Sequence, residues 1–218
     1  MAASSESPRE RYRSQVRAEV KARAWEQIAT AGASGLSLNA IAKELGMSGP
    51  ALYRYFAGRD ELITALIRDA YRGLADTFRA AASSGAGPTG LAHALRGWAL
   101  EDPQRYFLIY GTPVPGYQAP DDITAIAKEI MSALLDVCAA AWVEAGAPPA
   151  GSLAAHLADN RHWAGEHTAP PAVLRRALLF WTRLHGVLSL ELAGHFTGMD
   201  FDPELLFTAE ADALAAKS

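Results

Sequence analysis

Residues 37–56, SLNAIAKELGMSGPALYRYF, constrain the fold of this chain more than any other stretch. Leu38, Ile41, Ala42 and Leu45 recur at three- and four-residue spacing, which lines up one buried face of a short helix. Gly46 can enter the left-handed conformation that a tight turn needs, and Ser48 stands where a hydroxyl caps a second helix. Pro50 fits only the first turn of that second helix, where its missing N–H costs nothing. Ala51, Leu52, Tyr53, Tyr55 and Phe56 complete it. The pattern predicts a helix-turn-helix. Small residues at the start of its second helix, Ser48, Gly49 and Ala51, let it enter a DNA major groove about 12 Å wide.

Helical periodicity runs through the rest of the chain, and no alternating run ends in an Asn-Gly or Asp-Gly hairpin turn. An all-α protein is expected. A first helix over 14–31 carries Val16, Val20, Ala24 and Ile28 on one stripe, with Gly32 closing it and Arg17, Lys21 and Arg23 off the stripe. A long helix over 59–82 repeats Leu62, Leu66, Ala70, Leu74 and Phe78, and at about 36 Å it can bridge two domains. A Ser/Gly/Pro break at 83–88 follows. Further helices are expected at 89–100, from 102 through Tyr110, and at 121–145, 150–161, 171–195 and 203–215, with a Pro/Gly-rich loop at 111–120.

Charge is segregated along the chain. The formal balance of −4 divides into +4 over residues 1–59 and −8 over the remainder. A basic end on an acidic body suits a protein that meets phosphate with one end only. No apolar run reaches the roughly 18 residues that span a bilayer, and the N-terminal MAASSESPRERYR lacks the apolar core of a secretory signal, so a cytoplasmic protein without membrane contact is expected. Cys138, the single cysteine, sits in an apolar run and reads as a buried free thiol.

The run from 28 to 62 resembles the DNA-binding domain of the TetR family of transcriptional regulators. Matching residues are Ala31-Gly32, Ser37, Ile41-Ala42, Gly46-Met47-Ser48, Leu52-Tyr53-Arg54-Tyr55-Phe56 and Glu61-Leu62. The resemblance implies a three-helix domain over 14–58, joined to a helical effector-binding and dimerisation domain over 59–218 and preceded by a flexible basic arm, 1–13. It implies a homodimer on double-stranded palindromic operator DNA, acting as a ligand-responsive repressor. Ser37 and Ser48 are implied to offer hydroxyls or helix N-termini to phosphates, with Gly49, Pro50 and Ala51 closest to base edges. Tyr53 and Tyr55 suit phosphate, and Arg54 reaches backbone or a guanine edge. Arg59 stands where family members commonly carry lysine. Arg13 and Arg17 add basic contacts from the first helix and arm, and Arg9, Arg11 and Arg13 can approach a minor groove.

Trp181-Thr182-Arg183-Leu184-His185-Gly186 and the following 190–196 resemble a tryptophan–histidine–glycine C-terminal type within that family. There Gly186 is expected to permit close helix contact, and helices 171–195 and 203–215 to pair with their twofold mates. Trp98, Tyr106, Phe107, Tyr110, Trp142, Trp163, Trp181 and His185 are the candidate lining of a pocket for a hydrophobic or aromatic small-molecule effector. No cofactor and no metal are expected. His156, Asp159, His162, Glu166 and His167 carry suitable ligand types, but no partner to orient them is evident. An enzyme is the rival class, and neither G-x-S-x-G, H-E-x-x-H nor a glycine-rich phosphate loop is present to support it. A DNA-binding protein of purely architectural role is the third reading.

Overall fold

The computed structural model describes residues 7–112, 117–141 and 151–216, and among them every regular element is helical. Ten α-helices follow in order: α1 Pro8–Ala31, α2 Leu38–Glu44, α3 Gly49–Leu52, α4 Arg59–Ser83, α5 Pro88–Glu101, α6 Pro103–Tyr110, α7 Asp121–Ala141, α8 Leu153–Asp159, α9 Pro171–Leu192 and α10 Pro203–Ala215. Short 3-10 turns occupy Ala33–Gly35 and His162–Ala164. The all-α fold class is as the periodicity predicts. Trp142 and the end of the helix expected to reach 145 lie outside the described residues.

α1 begins at Pro8, six residues before the expected start. The reason is a capping box. The Ser7 hydroxyl accepts from the Glu10 N–H, and the Glu10 carboxylate accepts in turn from the Ser7 N–H at 2.8 Å, with Pro8 in the first helical position. These bonds also hold the Glu10 carboxyl below its ordinary pKa. Arg9, Arg11 and Arg13 therefore ride on α1, which takes in residues 8–13 of the span expected as an arm. At the other end Gly32, at φ +69°, stops α1 while its N–H still bonds the Ile28 carbonyl.

Two compact units divide the chain. The first comprises Met1–Ala70 and Gln104–Ala119, the second Tyr71–Pro103 and Pro120–Ser218. In the first, Val16, Val20, Ala24 and Ile28 of α1 are buried together with Ile41, Leu52, Phe56, Leu62 and Leu66. The start of α4 thus completes the core of the helix-turn-helix, so compactness changes hands inside α4 and not before it. In the second unit, α9 packs on α7, α8 and α10, and α10 packs also on α5. Phe78, Leu91, Leu95, Leu134, Phe180, Leu184 and Phe207 fill its interior. Cys138 lies there too, and burial pushes its thiol up to about 12. Among the described residues a Cβ on Gly186 would meet nothing within 4 Å, so that face of α9 stands open within the chain.

Candidate nucleic-acid interface

Ser37 opens α2, its hydroxyl accepting from the Ala40 N–H at 3.3 Å, while its own N–H donates to the Gln27 side chain of α1 at 3.0 Å. One residue therefore both caps α2 and docks it. Gly46, at φ +64°, reverses the chain, and the Met47 N–H closes the turn on the Ala42 carbonyl at 2.8 Å. Ser48 stands at the N-cap of α3 in extended conformation, yet its side chain makes no cap bond. The expected cap at Ser48 is absent, and the residue is exposed. α3 is a single turn of helix, tightened at its end by the Tyr55 N–H bonding the Leu52 carbonyl.

The faces of α3 separate cleanly. Leu52 and Phe56 are buried, whereas Ser48, Pro50, Tyr53 and Arg54 are exposed and Gly49, Ala51 and Tyr55 half-buried. The exposed set contains a hydroxyl, a phenol and a guanidinium around a small apolar start, a combination able to donate to phosphate and approach bases. Three predicted basic residues have additional work. The Arg17 guanidinium donates to the Tyr55 carbonyl, approaches Glu61 at 3.5 Å and lies 4.0 Å from the Phe56 ring centre. Arg13 donates to the Arg54 carbonyl at 3.2 Å. Arg59 donates to the Ala33 carbonyl at 2.7 Å, tying α4 to the turn after α1. Periodicity alone carried no signal for these three tethers, because their acceptors are carbonyls.

The geometry meets its counterpart in known proteins. The family model "Bacterial regulatory proteins, tetR family" matches residues 22–66, and "Tetracyclin repressor-like, C-terminal domain" matches residues 89–214. The chain is 36% identical to the HTH-type transcriptional regulator Rv1816 of Mycobacterium tuberculosis, covering 94% of this chain and 92% of that protein. The crystal structure of SCO4313 is similar at a TM-score of 0.87 and 69% identity, over 95% of this chain and 98% of that one. A TetR/AcrR-family regulator from Thermobifida fusca shares the fold at a TM-score of 0.58 and 16% identity, over 92% and 97% of the two chains.

The chain belongs to the TetR family.

As a TetR-family transcriptional regulator it carries a DNA-binding helix-turn-helix at 37–56, and the candidate effector residues distribute over both of its units. Tyr106, Phe107 and Tyr110 lie in the first, on α6, with the Tyr106 ring 5.6 and 5.3 Å from the other two. Phe107 also lines a cavity of about 220 Å³ with Ile28, Gly32 and Leu108. Trp98, Trp163, Trp181 and His185 belong to the second unit. There the Trp181 and His185 rings lie 4.2 Å apart, and Phe78 presents an edge to Trp181 at 6.2 Å. Burial pushes the His185 imidazole down to about 4, so it is neutral near pH 7. Trp98 is buried on α5, where its Nε1 stands 3.3 Å from the position of a Cβ on Gly73. His185, Trp98, Trp163 and Trp181 are thus not in one unit with the α6 aromatics.

The His156–His167 region forms hydrogen bonds of its own. The His167 Nδ1 accepts from the Ala169 N–H at 3.0 Å, which leaves the proton on Nε2 to donate to Asp136 at 3.1 Å. Among the described residues no three metal-ligating side chains converge. None of the described helices is long and apolar enough to cross a membrane.

Proposed function

We propose that this protein is a ligand-responsive repressor that binds a palindromic operator as a homodimer and has no enzymatic activity. The observation that carries the proposal is the exposed face of α3, with Ser48, Tyr53 and Arg54 outward and Gly49 and Ala51 small enough for close approach to base pairs. Ser37, Pro50, Tyr55, Arg13, Arg17 and Arg59 complete the DNA-facing set, the three arginines also positioning the helices they tether. A homodimer is supported by apolar side chains left exposed along α9, α10 and the turn between them: Leu190, Met199, Phe201 and Leu205. Leu205 is 70% exposed, more than a solvated monomer surface ordinarily asks of a leucine on an apolar helix. The open face of Gly186 suits the approach of a second helix there, and the Trp181, His185 and Gly186 set fits the tryptophan–histidine–glycine type.

The effector is proposed to be a hydrophobic or aromatic molecule held in the second unit, with Trp98, Trp181 and neutral His185 among its contacts. Its binding favours a dimer whose recognition helices no longer stand one DNA turn, about 34–36 Å, apart. The decisive experiment is a mobility shift with the intergenic DNA flanking the protein's own gene, titrated with salt. Saturable binding by two protomers per site that weakens steeply as salt rises is expected. Absence of a shift at low salt, or a shift indifferent to salt, overturns the repressor reading.

A further inference from the structure

The first two turns of α1 and the helix-turn-helix enclose an open cleft of about 610 Å³. One wall carries Arg9, Tyr12 and Arg13, and the other Ala51, Arg54 and Tyr55. Positions 9, 12 and 13 share a helix face by their three- and four-residue spacing, whereas Arg11, two residues from each arginine, is turned away and does not line the cleft. Glu10 also borders it, but its carboxylate is held by the Ser7 N–H in the cap of α1. Among the described residues neither Arg9 nor Arg54 has a carboxylate within ion-pair distance, and Arg13 donates to a neutral carbonyl, so its charge is not cancelled. Three guanidinium charges thus face one acid already engaged. The same cleft borders Ala51, on the helix that approaches base edges.

We propose that this cleft seats one sugar-phosphate strand of duplex DNA, with Arg9 and Arg54 gripping it from opposite walls and Arg13 bracing those walls together. The inference rests on the DNA-binding reading and extends it to a contact beyond the helix-turn-helix. The capping box that makes α1 start at Pro8 gives the seat its rigid wall, because a frayed segment would not hold Arg9 on the cleft face. Tyr12, 64% exposed, and Tyr55 offer flat apolar surfaces to deoxyribose beside those charges.

The test measures the affinity of the full chain for two fluorescent duplexes, the intergenic DNA and a random sequence of equal length, across a potassium chloride series. Each phosphate contact contributes about 0.9 to the slope of log affinity against log salt, so Arg9→Ala lowers the slope of a dimer by about 2. Binding weakens roughly three- to tenfold for both duplexes, leaving their ratio unchanged, as a phosphate contact requires. Arg9→Lys keeps the wild-type slope because the charge is retained, and Arg11→Ala keeps it because that side chain faces away. A wild-type slope in Arg9→Ala overturns the proposal, as does an equal loss in Arg11→Ala, which would mean a general charge effect. Loss of affinity in Arg9→Ala for a small organic anion such as anilinonaphthalene sulfonate, without change in the DNA slope, makes the cleft a ligand pocket and also overturns it. If the wild type binds neither duplex, the DNA-binding reading itself falls and takes the seat with it.

Discussion

Arg13 of the first unit and Arg96 of the second put a guanidinium to different work. Around the helix-turn-helix, Arg13, Arg17 and Arg59 donate to the carbonyls of Arg54, Tyr55 and Ala33, and of these Arg17 and Arg59 also approach the carboxylates of Glu61 and Asp60. In the second unit, Arg72 and Arg79 share the Glu129 carboxylate, Arg183 meets Glu210, and Arg96 bridges Glu191 and Glu204, while Arg161 and Arg176 donate to carbonyls. A carbonyl orients a guanidinium without cancelling its charge, whereas a carboxylate does both. The first arrangement builds a fold and still leaves a positive surface for phosphate. The second turns charge into internal cross-links of an acidic body.

Removing one arginine from each side sharpens this contrast most. Arg96 and Glu191 are 13% and 11% exposed, joined at 2.6 Å, and a second Arg96 nitrogen reaches Glu204 at 3.0 Å. Burial works against the Arg96 charge, and its hydrogen bonds and charge pairing with the two carboxylates more than offset that, raising its pKa. Arg96→Ala strands Glu191 in a nearly dry site and is expected to cost about 3–5 kcal/mol in denaturant unfolding. Arg17→Ala gives up a carbonyl bond and a stacking contact at a partly exposed position, for about 1–2 kcal/mol, but loosens the end of the recognition helix. Its DNA affinity should fall roughly tenfold, worth about 1.4 kcal/mol. Equal stability losses in the two variants, or intact DNA binding in Arg17→Ala, would break the comparison.

Acid probes the same difference by a second route, since every histidine of the chain lies in the second unit. The His185 pKa falls from an ordinary 6.5 to about 4 on folding, because burial disfavours the imidazolium. Above pH 6.5 the ring is neutral in both states and its contribution is fully present. Between 6.5 and 4 the unfolded chain takes up a proton that the fold refuses, so stability drops by about 1.4 kcal/mol per pH unit, roughly 3 kcal/mol in all. His185→Gln should flatten that part of the stability profile measured by urea denaturation from pH 7 to 4. A profile as steep in the variant as in the wild type assigns the acid sensitivity elsewhere.

Helix-turn-helix signals are short-range, and most were readable. The apolar spacing of Leu38, Ile41 and Ala42, the turn glycine at 46 and Pro50 inside α3 all act within a few residues, and the structure places each as its local chemistry demands. The early start of α1 was readable too, in Ser7-Pro8-Arg9-Glu10, but a dense run of arginines ahead of the first apolar stripe reads as a solvated tail until the cap is recognised. What the sequence does not carry is long-range pairing. Nothing local says that Arg17 will find the carbonyl of Tyr55, 38 residues on, or that α6 will side with the first unit. The same holds for aromatics: Tyr106 and Trp98 look alike as candidate pocket residues, yet tertiary packing sends them to different units.

The smallest expected effect separates two serines that the sequence treats alike. Ser37 and Ser48 each precede a helix of the motif, but only Ser37 uses its hydroxyl as a cap. Ser37→Ala should therefore cost about 1 kcal/mol of stability, since the Ala40 N–H loses its acceptor. Ser48→Ala removes no bond within the chain and should change stability by less than about 0.5 kcal/mol. If its free hydroxyl donates to a phosphate, the same variant should weaken operator binding by a few-fold, on the order of 1 kcal/mol, with thermal unfolding unmoved. Measured side by side, the pair decides whether the missing cap at Ser48 is a vacancy kept for DNA. A Ser48→Ala protein that binds as tightly as the wild type gives that hydroxyl no role in the complex, and the positive surface set by Arg9, Arg13 and Arg54 must then hold the backbone without it.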